Sequence, residues 1–341
     1  MRITICGGGS LGHVCAGFLA SNPDNEVSIL SGHPDSWQKE ITVEDCNGMT
    51  FKGRLSTISS HAGTVIPDSD IVLLCVPGYL ISDILTTIRP YIGNASVGSI
   101  VSSTGFFFQA HKILDRSTGL FGFQRVPFIA RVREYGKSAL LLGYKPNLLM
   151  AVENISDTER FRISISNLFK TPVALLDNYL EAALSNSNPI LHTGRLYSMF
   201  CGHENELFDH NILFYKEWTD QSSQCLIDMD REFFMLLDKL DVHGIRPLLD
   251  YYESHDAVSL TNKISSIPAF QNILSPMTET EEGWKIDWNS RYFTEDFPFG
   301  LSFIKTLCDS NNIDAPVITK VYEWGIANIS KYEILRTVQN L

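Results

Sequence analysis

The chain has 341 residues, 44% hydrophobic and 19% charged, and its 27 Lys plus Arg against 39 Asp plus Glu give a formal net charge of −12. That length holds two domains with separate cores, and the balance excludes a disordered chain. The negative surface disfavours nucleic acid and anionic membranes as partners, yet a few clustered arginines would still admit anionic metabolites.

"RITIC" (2–6) predicts a buried strand, "GGGSLG" (7–12) a turn, and "HVCAGFLASN" a helix that stops before Pro23. "EVSIL" (26–30) is a second strand. "DIVLLCVP" (70–77) is apolar throughout, as suits a parallel strand covered on both faces. "YLISDILTTIRPYI" follows as an amphipathic helix, "GSIVSST" (98–104) as another strand end, and "SALLLGYKPNLLMAVE" (138–153) as the last strands. The alternation argues for a doubly wound α/β domain over 1–171. From 172 to 341 the pattern is helical. Cys225, Met229, Phe233, Leu236 and Leu240 share one apolar face of a helix over 219–240 and read as core. Residues 269–290 read as a long irregular connection. "PFGLSFIKTLCDSNNI" reads as a helix with Pro298 in its first turn, and a last helix covers 317–338.

Seven scattered cysteines without a C-x-x-C pair suit a reducing cytoplasm and no structural metal. The N-terminus enters a strand at once, which leaves no room for a signal peptide, and the apolar runs are too short to span a bilayer. "CGHENELFDH" (201–210) fits no familiar metal spacing and reads as a solvated loop.

Gly7, Gly9 and Gly12 form G-x-G-x-x-G between a strand and a helix. The first glycine permits the tight turn, the second lets backbone approach a pyrophosphate, and the third packs helix on strand. Ser10 and Leu11 complete the loop, and the helix N-terminus offers N–H groups to phosphate. The second strand ends in Ser31-Gly32-His33, with neither an acid for a ribose diol nor a Lys or Arg for a 2′-phosphate. NAD and NADP therefore both stay open, with Ser31 and His33 as candidate contacts. Strand-end turns place Val76 and Pro77 near the adenosine half, and Ser102 and Ser103 near the nicotinamide.

"NPILHTG" (188–194) puts His192 in an apolar helix, with Asn188 one turn before it. Such a histidine is ordinarily a satisfied core residue. Reduction of a C=O or C=N bond needs a proton donor, however, and an imidazole oriented by a carboxylate serves near neutral pH. "SRYFTEDFPFG" (290–300) supplies Arg291, Glu295 and Asp296. Asp296 has a competing role as a helix-start cap.

"NPILH" followed by Gly and Arg, "RYFTEDFPFG" a hundred residues on, and "FYKEWTD" and "DMDREFFMLLDKL" between them resemble the octopine/nopaline (opine) dehydrogenase family. The resemblance implies a Rossmann-type dinucleotide-binding domain followed by an all-α C-terminal domain of the 6-phosphogluconate dehydrogenase C-terminal-like kind. It implies NAD(P)H-dependent reductive condensation of a 2-oxo acid, such as pyruvate, with the amino group of an amino acid. The catalytic histidine falls on His192, its asparagine on Asn188, its aspartate on Asp296, and a carboxylate clamp on Arg291. Arg125, Arg131 and Arg195 are further anion-anchor candidates. Thr193 stands where the family often has proline, and the Asn-Ala-Gly run that often follows is missing. The partners implied are a 2-oxo acid and an amino acid, with a homodimer as an open alternative to a monomer. Two other readings compete: an oxo acid reductase of the ketopantoate reductase kind, for which Lys170 is the nearby lysine, and a catalytically silent dinucleotide-binding module.

Overall fold

The structure is a computed structural model that describes residues 1–339. It divides into two compact units, Met1–Ser185 and Asn186–Leu341. In the first, β1 (Arg2–Cys6), β2 (Glu26–Leu30), β3 (Glu40–Asp45), β4 (Thr50–Arg54), β5 (Ile58–Ser59), β6 (Ile71–Leu74), β7 (Ser96–Ser99), β8 (Leu120–Phe123), β9 (Phe128–Glu134), β10 (Ser138–Tyr144), β11 (Leu148–Glu153) and β12 (Val173–Leu175) form two sheets. The larger runs β12-β11-β8-β7-β6-β1-β2-β5, parallel except where β11 meets β8. Alternating residues of one strand feed two cores, one on each face. Ile71 and Leu73 enter a core shared with α1 (Ser10–Ala20) and α5 (Thr158–Phe169). Val72 and Leu74 enter the other, shared with α2 (Ala62–Val65), α3 (Gly78–Ile88), α4 (Phe106–Ile113) and α6 (Tyr179–Leu184). This is the doubly wound, Rossmann-type arrangement that the chain order implies.

The smaller sheet, β4-β3-β10-β9, lies outside the sequence reading. It covers the side of α1 that the main sheet leaves open, which is why α1 is buried at every residue from Gly12 to Ala20. The stretch 138–153 divides accordingly: β10 pairs with β3 in the small sheet, and β11 with β8 in the large one. The first unit also runs past residue 171, because β12 pairs with β11 and α6 packs upon it.

The second unit holds α7 (Asn188–Phe200), α8 (Asp220–Lys239), α9 (Leu248–Tyr251), α10 (Ala257–Ser266), α11 (Arg291–Thr294), α12 (Ser302–Ser310) and α13 (Pro316–Gln339). It is helical except for a hairpin, β13 (Met277–Thr280) and β14 (Gly283–Ile286), inside the stretch expected to be irregular. α8 buries Met229, Phe233 and Leu236 as its periodicity requires, while Cys225 and Leu240 are half-buried. A π-helical turn, Phe297–Leu301, carries Pro298 and leads into α12. Among the described residues no helix is long and apolar enough to cross a membrane.

Candidate active site

In the first unit Gly7 has φ +122°, and a Cβ there would lie 2.6 Å from the Cys75 carbonyl oxygen. A Cβ on Gly12 would strike the Gly7 carbonyl, so α1 sits directly on the turn. A Cβ on Gly9 would meet nothing within 4 Å. The loop thus closes tightly at both ends and is open in the middle, beside the uncapped start of α1. That is the shape a pyrophosphate needs, so the residues present fit a dinucleotide.

The side chains around this loop are placed variously. Val76 packs on Gly7, and Pro77 caps α3. Leu11 is part of the core edge. Ser10 Oγ accepts the Val132 N–H at 3.2 Å. Ser31 Oγ accepts both the His33 N–H and the Trp37 indole N–H, so this buried hydroxyl is engaged within the protein, whereas the His33 side chain is exposed. Ser102 is fully buried, its hydroxyl over Gly122 and without a hydrogen-bond partner among the described residues, and Ser103 is also buried. His13, absent from the sequence-based site, ties the loop down. Its Nδ1–H donates to the Gly9 carbonyl at 3.0 Å, and its Nε2 accepts the Gly136 N–H at 2.7 Å. Burial lowers its pKa below the usual histidine value.

In the second unit α7 begins at Asn188 and presents His192 one turn later. His192 Nδ1 lies 2.8 Å from Asp296 Oδ2, and its side chain is 12% exposed. A carboxylate only accepts, so the proton is on Nδ1. Asp296 makes no side-chain cap at the start of its π-turn; its carboxylate goes to the imidazole instead. The register of 291–297 explains the placement, because residues four apart share a helix face. Phe293 and Phe297 point inward and stack at 5.9 Å. Tyr292 and Asp296 both meet His192, the former ring to ring at 4.6 Å. Arg291 and Glu295 pair on the outer side, with contacts of 2.9 and 2.7 Å. Gly300 lets the π-turn approach α7 closely: a Cβ there would lie 2.7 Å from Pro189 Cγ.

One neighbour is not among the residues that the sequence singles out, although it lies within "FYKEWTD". The Tyr215 hydroxyl lies 3.0 Å from His192 Nε2. Burial pushes its phenol pKa well up, with Tyr292, Tyr252 and Asp296 adding to the rise. Asn188 is exposed at the start of α7. Arg195 is not an anion anchor. It is 2% exposed and donates to the Phe214 and Glu217 carbonyls and to Ser222 Oγ, while its guanidinium lies over Trp218. Burial lowers its pKa to about 10. Arg125 and Arg131 belong to the first unit. Arg125 donates to the Ser185 carbonyl and lines a cavity of about 180 Å³ with Lys145 and Asn147, and Arg131 is exposed on β9. Lys170 lies over the Phe18 and Phe51 rings. Of the 201–210 cluster, His203 pairs with Glu206, and His210 with Asp209 and Glu217.

Residues 175–328 match the family model described as NAD/NADP octopine/nopaline dehydrogenase, alpha-helical domain. The chain is 25% identical to the opine dehydrogenase of Haliotis discus hannai, covering 97% of this chain and 91% of that one. It is 25% identical to the tauropine dehydrogenase of Arabella iricolor, covering 95% and 90%. A solved octopine dehydrogenase with NADH and L-arginine superposes with a TM-score of 0.88 at 22% identity, covering 97% and 90%. The resemblance read from the two motifs is borne out.

Proposed function

We infer that this relative of the octopine/nopaline dehydrogenases is itself an opine-type dehydrogenase, condensing a 2-oxo acid with an amino acid at the expense of NADH or NADPH. The observation that carries the reading is the His192–Asp296 pair, set in the helical unit by two separate motifs. The Gly7–Gly12 loop would hold the dinucleotide, whose nicotinamide, when bound, supplies the reducing equivalents for the C=N bond.

The remaining chemistry belongs to the chain. Neutral His192 takes a proton from the substrate ammonium, which frees the amine to attack the oxo carbon. It returns that proton to the carbinolamine hydroxyl, which leaves as water, so the ring ends as it began. Asp296 fixes the tautomer and stabilises the imidazolium formed between the two steps. Arg291 binds a substrate carboxylate through its planar fork, exchanging the Glu295 carboxylate for it. Asn188 binds substrate in this reading, supported by its exposure at the start of α7. A cytoplasmic setting belongs to the same reading, supported by seven cysteines with no C-x-x-C pair.

Purified protein tests this by oxidation of NADH and of NADPH, with pyruvate alone and then with a panel of amino acids. Oxidation that requires the amino acid supports condensation and identifies both the amine and the cofactor. Oxidation with the oxo acid alone would favour the simple reductase. The seat of Lys170 over two aromatic rings speaks against that alternative.

A further inference from the structure

We propose that Tyr215 is the outer member of a proton relay, Asp296–His192–Tyr215, and that protons pass between substrate and imidazole through its hydroxyl. The proposal rests on the condensation reading. Both ring nitrogens of His192 are engaged: Nδ1 by Asp296 at 2.8 Å and Nε2 by Tyr215 at 3.0 Å. With the proton on Nδ1, the neutral ring accepts at Nε2, and the phenol O–H donates to it. Any proton that His192 gives or takes at Nε2 therefore crosses this hydroxyl, unless the tyrosine swings away.

The surroundings hold the tyrosine still. Its ring is 7% exposed and stacks on Phe270 at 4.6 Å and on Trp218 at 6.1 Å with 8° between planes. Arg195 grips the carbonyls of Phe214 and Glu217, on either side of Tyr215. The Phe214 N–H donates to the Ile273 carbonyl at 2.8 Å. The oxygen is fixed and only its O–H can rotate, as a relay requires and a swinging gate does not. Arg195 is accordingly a positioning residue.

The step balances without a phenolate. The protonated ring gives its Nε2 proton to the Tyr215 oxygen while the Tyr215 hydrogen passes to the departing hydroxyl. One positive charge moves from imidazolium to substrate, and the tyrosine is neutral before and after. Deprotonation of the ammonium runs the same path backwards.

Tyr215→Phe keeps the ring and removes the relay. The expected result is a kcat at least tenfold lower, with KM for both substrates within about twofold. Wild-type kcat should depend on the D2O fraction along a curve, reflecting two protons in flight, and Y215F along a straight line. H192A and H192A/Y215F should turn over equally slowly, since the residues act as one unit. A Y215F enzyme as fast as wild type, or faster, overturns the relay, as does a straight wild-type line, which needs no variant. A second readout needs no turnover: in 15N-histidine-labelled protein the His192 Nε2 resonance, assigned with H192A, should move in Y215F. A resonance that stays put overturns the relay whatever the activity. A moved resonance in a protein without amine-dependent oxidation would instead sink the condensation reading, and with it this use of the hydrogen bond.

Discussion

His192 illustrates how little of a residue's chemistry is decided by its own neighbours in sequence. On its helix it looks like core, and it is indeed mostly buried, yet both of its nitrogens face distant polar partners. Asp296→Asn preserves shape but replaces an acceptor-only group, so the ring loses its fixed tautomer and its counter-charge. The expected kcat is roughly 10²–10⁴-fold lower with dinucleotide affinity unchanged, read by steady-state kinetics beside a fluorescence titration of NADH. Arg291→Ala should raise KM for the oxo acid about 10–100-fold, the worth of a charge-assisted bidentate bond, and move kcat less. Arg195 behaves differently. Arg195→Met takes the Arg195 donors from the buried Phe214 carbonyl and the half-buried Glu217 carbonyl, so about 2–4 kcal/mol of stability should go, measured by urea unfolding. An Arg195 variant of normal stability with a selectively raised substrate KM would restore it as an anion anchor.

At the scale of elements, the site depends on a π-turn and a helix meeting at glycine contact. Gly300→Ala inserts a methyl against Pro189, one turn from His192. The expected variant binds dinucleotide normally but turns over more slowly, because the turn that bears Asp296 must retreat from α7. Legibility follows the same division. The glycine loop and the 291–297 stretch were readable because their meaning is local: a turn, a helix start, a four-residue register. The small sheet is not, because β3 and β4 are half-polar strands and the partner that joins β3 to the rest, β10, lies roughly a hundred residues on. Tyr215 went unseen because nothing in "FYKEWTD" says which ring reaches a histidine. Arg195 was misread because backbone carbonyls, its main acceptors, have no sequence signature. That Ser31 also serves the Trp37 indole is hidden in the sequence, because the two meet only through a turn.

For the molecule as a whole, mild acid acts in opposite directions on two buried groups, one in each unit. His13 in the first unit has a folded pKa below its unfolded value, through burial. Its contribution is complete above pH 6.5 and declines as the pH falls below that, because the unfolded chain takes up a proton that the folded one resists. Asp230 in the second unit is buried and accepts the Leu248 N–H at 2.9 Å; burial raises its pKa from 3.8 to about 6. Between those values the native unit holds a proton that the unfolded chain has released. This group therefore makes the helical unit more stable as pH falls from about 6 towards 4, and less stable at neutrality. Asp230→Asn keeps an acceptor for Leu248 and removes the buried charge. It should stabilise the helical unit at pH 8 by on the order of 1–3 kcal/mol and by nothing measurable at pH 4. Calorimetric scans of wild type and variant at the two pH values would read this directly. A variant less stable than wild type at pH 8 would mean that the ionised carboxylate gains more from the Leu248 N–H than it loses by leaving water.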